Sequence, residues 1–367
     1  MTHTHSGALP PCPRPRASKA PNIMHQTFKA GLVAALLLAA SQFAAAQTTE
    51  KKDLAWAFNK GDKSSYTLHW GLEIGQSIRG QQTMEMGTIK VNVAYTLDQE
   101  VTEVTEGVAT IKGKIKSIKA STSVAAMGMP GPEETYDSEK PDGAGILKFL
   151  EKALDQEIVF KMKTTGEVTE VTGGEAMTQL LAMALAEEAQ KAAPNGGGGG
   201  MPGMGGAQTA QMALIAFADA SLKSALNMLN RVLPSEEAET WDIDHELKTE
   251  VGTMSFTGKY KFGEAATGKT RINFKNEGEV TMKKGEGAAG IQAMIKDLKV
   301  VDSKVKGLST FGAGHILNSE VEFMADAEGE PAGMLKQRLE MMGGGKLGVK
   351  YGLKLRYERA GAKKSEF

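Results

Sequence analysis

Apolar and polar residues alternate in long runs over most of this chain. Tyr66, Leu68, Trp70, Leu72 and Ile74 keep strict period two, and Ile89, Val91, Val93, Tyr95 and Leu97 repeat it. Such alternation predicts strands with one face buried and one wet. A third strand is predicted over 108–118, where Lys112, Lys114, Lys116 and Lys119 mark a solvated sheet face. The pattern resumes after Pro234 with Trp241, Ile243, His245, Leu247 and Val251, then Met254, Phe256, Tyr260 and Phe262, then Ile272 with Phe274 and Val280 with Met282. Later strands are predicted over 308–323, and the clearest run is the last: Leu347, Val349, Tyr351, Leu353, Leu355 and Tyr357.

Between the two strand-rich parts the period changes. Strands over 157–163 and 167–172 flank a tight turn at Thr165-Gly166, and Met177, Leu180, Leu181, Ala184 and Leu185 then fall on one face of a helix. Pro194 ends that helix, and the Gly- and Met-rich stretch 193–207 predicts a flexible loop. A second helix is predicted over 208–232, with Ile215, Leu222, Leu226, Leu229 and Leu233 on one side; unbroken, it is about 37 Å long. Shorter helices are predicted over 144–154 and 288–298, and a loop at Met127-Gly-Met129-Pro-Gly-Pro132.

The fold class that follows is α+β: a large curved antiparallel sheet, half-barrel-like, with the helical hairpin 174–233 inserted and packed on its concave face. The strand groups led by Trp56 and Trp241 are weakly alike, which leaves open one sheet or two related halves.

Composition changes the picture at the N-terminus. From Met24, a short region with Lys29, an apolar stretch from Ala30 to Ala40 and Ala44-Ala45-Ala46 form a secretory signal peptide, with cleavage expected after Ala46. A spanning helix needs about 20 apolar residues, so this stretch is too short for an anchor. Residues 1–23 read as a disordered extension upstream of a true start at Met24, or as a long basic leader of the signal peptide. The mature chain then has a flexible start at 47–53, a single domain over 54–358 and a flexible tail at 359–367. The expected address is periplasmic or extracellular and soluble, with no membrane span once the signal is removed.

Cys12, the chain's single cysteine, lies in the discarded part, so disulfides, Cys-ligated metals and Cys nucleophiles are not expected. Removing residues 1–46 leaves 39 basic against 44 acidic residues, a balance that gives no reason to expect nucleic acid.

Few residues suggest chemistry. Gly263-Glu-Ala-Ala-Thr-Gly268-Lys269-Thr270 fits the phosphate-loop expression, but that loop must open a helix, and Thr270-Arg-Ile-Asn-Phe274 reads as a strand. A hairpin turn is the expectation. His245 sits between Ile243 and Leu247 as a core residue, His315 follows a glycine-rich turn, and Asp242, Asp244 and Glu246 mark a wet strand face. None of these has partners at catalytic or metal-ligand spacing. Methionine is abundant: Met84-x-Met86, Met127-x-Met129, Met201-x-x-Met204 and Met341-Met342 suit adaptable filler, a lid over a lipophilic ligand, or soft Cu(I) ligation, though they fall in separate loops. Phe367 stands where outer-membrane barrel strands end, but Lys363-Lys-Ser-Glu366 breaks the alternation such a strand needs.

Gly61-Asp62-Lys63 with Tyr66, Tyr136-Asp137-Ser138, Phe160-Lys-Met-Lys-Thr-Thr-Gly166-Glu-Val168-Thr-Glu-Val171, and Leu233-Pro234 before Trp241 resemble a family of exported bacterial proteins of unknown function. The likeness covers most of 54–358 and implies an architecture similar to lipoprotein-carrier-like half-barrels. Where the pattern has a Gly-Asp pair before the second tryptophan, this chain has Glu239-Thr240. The resemblance implies no functional residues.

The expected function is non-enzymatic binding of a lipid or other lipophilic small molecule. Tyr66, Leu68, Trp70, Phe160, Met162, Ile243, Phe256 and Tyr260 are the candidate lining, with no cofactor. A structural or protein-interaction role in the cell envelope is the alternative, and copper handling through methionine a further one. An open apolar cavity favours the first and a filled core the second.

Overall fold

Among the described residues of this computed structural model, thirteen strands pair in one antiparallel sheet. The structure describes residues 55–362 apart from 81, 127–128, 142–144, 193–205, 235–237, 250–251, 264–268, 277–280, 284–294 and 342–343. The segment expected as a signal peptide (24–46), the stretches expected before and after it, most of the Gly/Met-rich loop and residues 363–367 lie outside that part.

In chain order the strands are β1 (Lys63–Arg79), β2 (Thr83–Thr105), β3 (Val108–Ala126), β4 (Met129–Asp137), β5 (Glu157–Lys163), β6 (Val168–Thr172), β7 (Thr240–Thr249), β8 (Gly252–Gly263), β9 (Lys269–Asn276), β10 (Thr281–Lys283), β11 (Ile295–Gly312), β12 (His315–Pro331) and β13 (Lys346–Arg359). The helices are α1 (Gly174–Ala192), α2 (Gly206–Ala213), α3 (Asp219–Asn230) and α4 (Gly333–Met341), with 3-10 helices at Gly145–Ala153 and Leu214–Phe217. The spatial order runs β10-β8-β9-β11-β12-β13-β1-β2-β3-β5-β6, with β7 also beside β8 and β4 beside β3. The last strand, β13, pairs with the first, β1, so the two strand groups make one sheet.

The period-two runs determine which face is inside. Tyr66, Leu68, Trp70, Leu72 and Ile74 are buried together with Val91, Val93, Tyr95, Leu97 and the β13 run Leu347 to Tyr357. Strand edges and faces meet the helices in an informative way: α3 packs against β6 and β7 near the two ends of the sheet, and against β12 and β13 in its middle. One helix reaches all four because the sheet curls around it without closing.

The edge of β6 is met by a side chain. Asn227 on α3 accepts the Val168 N–H at 2.7 Å and donates to the Val168 carbonyl at 3.1 Å, filling the place of a neighbouring strand. One end of the half-barrel is tied by a strap: Trp56 N–H donates to Thr164 O at 2.7 Å and Ala57 N–H to Gly314 O at 3.0 Å, while Leu233 N–H reaches Thr165 O at 2.7 Å. Gly166, at φ 88, lets this closure form, since a Cβ there would lie 2.7 Å from Trp56 Nε1.

Several expected elements differ. The helix predicted over 208–232 is broken: α2 runs into the 3-10 turn, Ala218 is extended (φ −68, ψ 136), and the two parts are bent by 64°. Asp219 is drawn to the start of α1, where its carboxylate accepts Gly174 N–H at 2.7 Å. Ala216 O accepts from the Tyr95 hydroxyl at 3.0 Å, and Phe217 stacks on Tyr95 at 5.1 Å. Anchors on both sides of Ala218 outweigh helix continuity.

Within the segment expected as a helix over 144–154, Gly145–Ala153 is a 3-10 helix, because Leu147, Leu150 and Ala153 recur every third residue and all are buried. Residues 295–298, expected in a helix, begin β11, and α4 was not foreseen; the rest of 288–298 lies outside the described residues. Met129 to Pro132, read as loop, opens β4, whose exposed position at the sheet's margin tolerates the two prolines.

Candidate functional site

The expected lining residues are spread across the sheet. Tyr66, Leu68 and Trp70 lie in the middle of the sheet on β1, Phe160 and Met162 on β5 near one end, and Ile243, Phe256 and Tyr260 on β7 and β8 at the other. The side chains of Ile243 and Phe256 lie outside the described part. The other six are 0–3% exposed. Protein groups engage several of them. Tyr66 stacks on Tyr357 at 4.4 Å and donates to Ile316 O at 3.2 Å, and Met162 Sδ accepts from Asn230 Nδ2 at 3.7 Å.

A polar cluster that the sequence did not announce is buried near Tyr260. The Arg231 guanidinium, at the left-handed C-cap of α3, donates to Met228 O and Glu320 O at 2.6 Å each and lies 5.5 Å over the Tyr260 ring. It rests against Gly307, where the lack of a side chain makes the room. His245 Nε2 is 2.6 Å from the Tyr260 hydroxyl. Burial, with the Arg231 charge adding to it, pushes His245 down to about 3, so it is a neutral core residue. Burial pushes the Tyr260 hydroxyl up, opposed by Arg231.

The second polar feature is a row across the inner face of β12, β13, β1, β2, β3 and β4. Val321, Leu355, Trp70, Val93, Ala120 and Tyr136 stand directly opposite one another in that order. Trp70 and Tyr136 are 2% and 3% exposed, yet neither the indole N–H nor the phenol hydroxyl has a hydrogen-bond partner. Between them stand two small residues, across three strand spacings, or about 14 Å. Beside the row, Glu134 on β4 has a buried Oε2 that is also without a partner, close to Gly145 at the start of the 3-10 helix. Burial raises the Tyr136 hydroxyl, and the Glu151 and Asp137 charges add to it. The cover over this quarter is the 3-10 helix on β3 and β4 and α2 on β2 and β3. Two donors and an acceptor in an apolar row suit a polar head on an apolar body. Trp70 was legible as a lining candidate; Tyr136 and Glu134 were not, because β4 carries loop-like Pro and Gly.

The outer face is charged. Grooves of about 650 and 370 Å³ cross it over Gly71 and Gly352, flanked by pairs such as Lys354–Glu320 at 2.8 Å and Lys90–Glu73 at 3.3 Å. These charges are matched in the wet face of a sheet. His69 lies there, 3.4 Å from Glu358, while His315 packs edge-on against Trp56. Asp242, Asp244 and Glu246 are exposed, as expected. The phosphate-loop-like segment joins β8 to β9: residues 264–268 lie outside the described part, and a strand follows where the chemistry needs a helix. Among the described residues no helix is long and apolar enough to cross a membrane; the bent pair around Ala218 passes only when joined, and Leu214, Phe217, Leu222, Leu226 and Leu229 within it are buried.

No curated protein sequence matches the chain. Among solved structures it is similar to lipovitellin, from a study of lipid–protein interactions, with TM-score 0.38 and 11% identity over 85% of this chain; it spans only 26% of that one. It is also similar to the outer membrane protein OprG from Pseudomonas aeruginosa, with TM-score 0.19 and 6% identity over 81% of this chain and 97% of that one. At these TM-scores neither likeness bears on function. The model of a family of unknown function, DUF6263, matches residues 106–308, more than half of the chain, and the protein belongs to that family.

Proposed function

We propose that this chain is an exported, non-enzymatic binding protein for a lipophilic ligand with a polar head, held on the inner face between β1 and β4. The observation that carries this reading is the pair of buried, unpartnered donors, Trp70 Nε1 and the Tyr136 hydroxyl. A buried polar group without its bond costs about 1–3 kcal/mol, and the fold gains nothing from that cost by itself. A ligand acceptor that reaches either donor recovers it. The cover over the row consists of short helices, and displacing them opens the apolar face without breaking the strand ladder. In this reading the structure is the closed form.

A second reading rests on the tight packing. Six expected lining residues at 0–3% exposure favour a filled core and a role in protein interaction at the cell envelope.

Native mass spectrometry of the protein, purified without detergent and then solvent-extracted, separates the two. The expected result is a stoichiometric amphiphile mass that extraction removes, retained about tenfold less well when Trp70→Phe and Tyr136→Phe delete the donors, a loss equal to about 1.4 kcal/mol. An apo mass throughout, unchanged by added lipids, overturns the ligand reading and leaves the second.

A further inference from the structure

The methionines form a pattern that the ligand site does not absorb. Among the described residues, the large apolar side chains that stand exposed are Met84, Val104, Met129, Met183, Val301, Met324 and Met341. Leu, Ile, Phe and Trp are missing from that set, although an apolar lip would use them as readily. Met84 and Met129 are 46% and 68% exposed, so core filling does not account for them.

The register reunites residues that the sequence separates. Met84, the second residue of β2, stands opposite Ile78, which continues the inward phase of Leu72 and Ile74. Met86 falls at the irregularity where Gln76 pairs with Gly87 but Ser77 pairs with Glu85, and it packs against the core. Gly87 pairs with Ala126 and Ala126 with Met129, which places Met129 about two strand spacings, or about 10 Å, from Gly87 on the same inner face. Met86 and Met84 lie one and three residues before Gly87 along β2, so three thioethers from β2 and β4 stand near one rim of the sheet, with Met84 farther from Met129 than Gly87 is. A methionine side chain has three rotatable bonds, and convergence of the three sulfurs requires Met84 and Met129 both to extend toward Met86.

We propose that Met84, Met86 and Met129 form a thioether site for Cu(I), independent of the lipophilic-ligand reading. Neutral, soft sulfur selects Cu(I) over hard cations and over zinc, which take oxygen, nitrogen or thiolate. No group of three or more His, Cys, Asp or Glu suited to a metal is present among the described residues to compete for it. A thioether binds no proton in the ordinary pH range, so the affinity is flat from about pH 5 to 8, where a histidine site weakens in acid.

The test is an anaerobic titration of the reduced protein with Cu(I) against a chromogenic Cu(I) chelator, with X-ray absorption on the loaded protein. One Cu(I) per chain with a sulfur-only shell is expected. Losing even an outer-shell partner costs about 10–100-fold, so the combined change Met84→Leu, Met86→Leu and Met129→Leu is expected to weaken binding at least about tenfold. Leucine keeps apolar volume, and circular dichroism confirms that the variant is folded. Met183→Leu with Met324→Leu, on α1 and the middle of β12, is expected to leave the affinity unchanged. Binding that survives the triple change, binding lost in the double change, or a shell containing nitrogen or oxygen overturns the assignment.

Discussion

His245 shows how one residue's surroundings become a property of the whole fold. Folded, it is held neutral down to about 3 by burial and by Arg231; unfolded, it titrates near its ordinary 6.5. Between these values the unfolded chain binds a proton that the folded chain refuses, so stability falls as pH drops through this window. His315, lowered chiefly by burial, acts in the same direction. Urea titrations between pH 7 and 4.5 are expected to show unfolding free energy declining with a slope approaching about 1.4 kcal/mol per pH unit for each such proton. His245→Gln keeps an amide for the Tyr260 hydroxyl and is expected to remove one proton's share of the slope. Parallel curves for parent and variant would show that His245 is not held neutral. At this scale the sequence was legible for His245, which stands on an apolar strand face. It was silent on Arg231: a cation near a helix end reads as solvent-facing, and it turns inward because Gly307 leaves room and Glu320 O accepts it.

At the scale of elements, the decisive contact is a helix against a sheet edge. The short strand β6 is satisfied along its outer edge by Asn227 through two hydrogen bonds to Val168. Asn227→Ala leaves both backbone groups without these partners and is expected to cost about 2–3 kcal/mol, read as a lower urea midpoint at unchanged m-value. An unchanged midpoint would mean that solvent replaces the amide at no cost. Local sequence predicted most strands because period two survives in them. It missed the break at Ala218 and the strand start at Ile295, where Asp219, Phe217 and the pairing of Ile295 with Pro331 override local preference.

For the whole molecule, α3 acts as the axle around which the sheet curls. Asn227 ties it to β6 and Arg231, one turn later, to β12, so the two contacts hold one closure between distant parts of the sheet. Their effects are therefore expected to be coupled. In a double-mutant cycle with Asn227→Ala and Arg231→Met, the combined loss is expected to fall short of the sum by at least about 0.5 kcal/mol. Strict additivity would show that the two ends of the curl are held independently.

The sequence by itself determined most of the strands, their inward faces and the helical insertion, because alternation and helical spacing are local signals that burial on one face enforces. It also placed His245 in the core and the Lys112 to Lys119 ladder in solvent. The tertiary structure alone decided that β13 closes onto β1 to make one sheet, that α3 spans the curl, and that Trp70 faces the same apolar row as Tyr136. It alone brought Met84, Met86 and Met129 to one rim. Each of these depends on which strands become neighbours, and strand pairing is set by register between residues far apart in the chain, which no local pattern encodes.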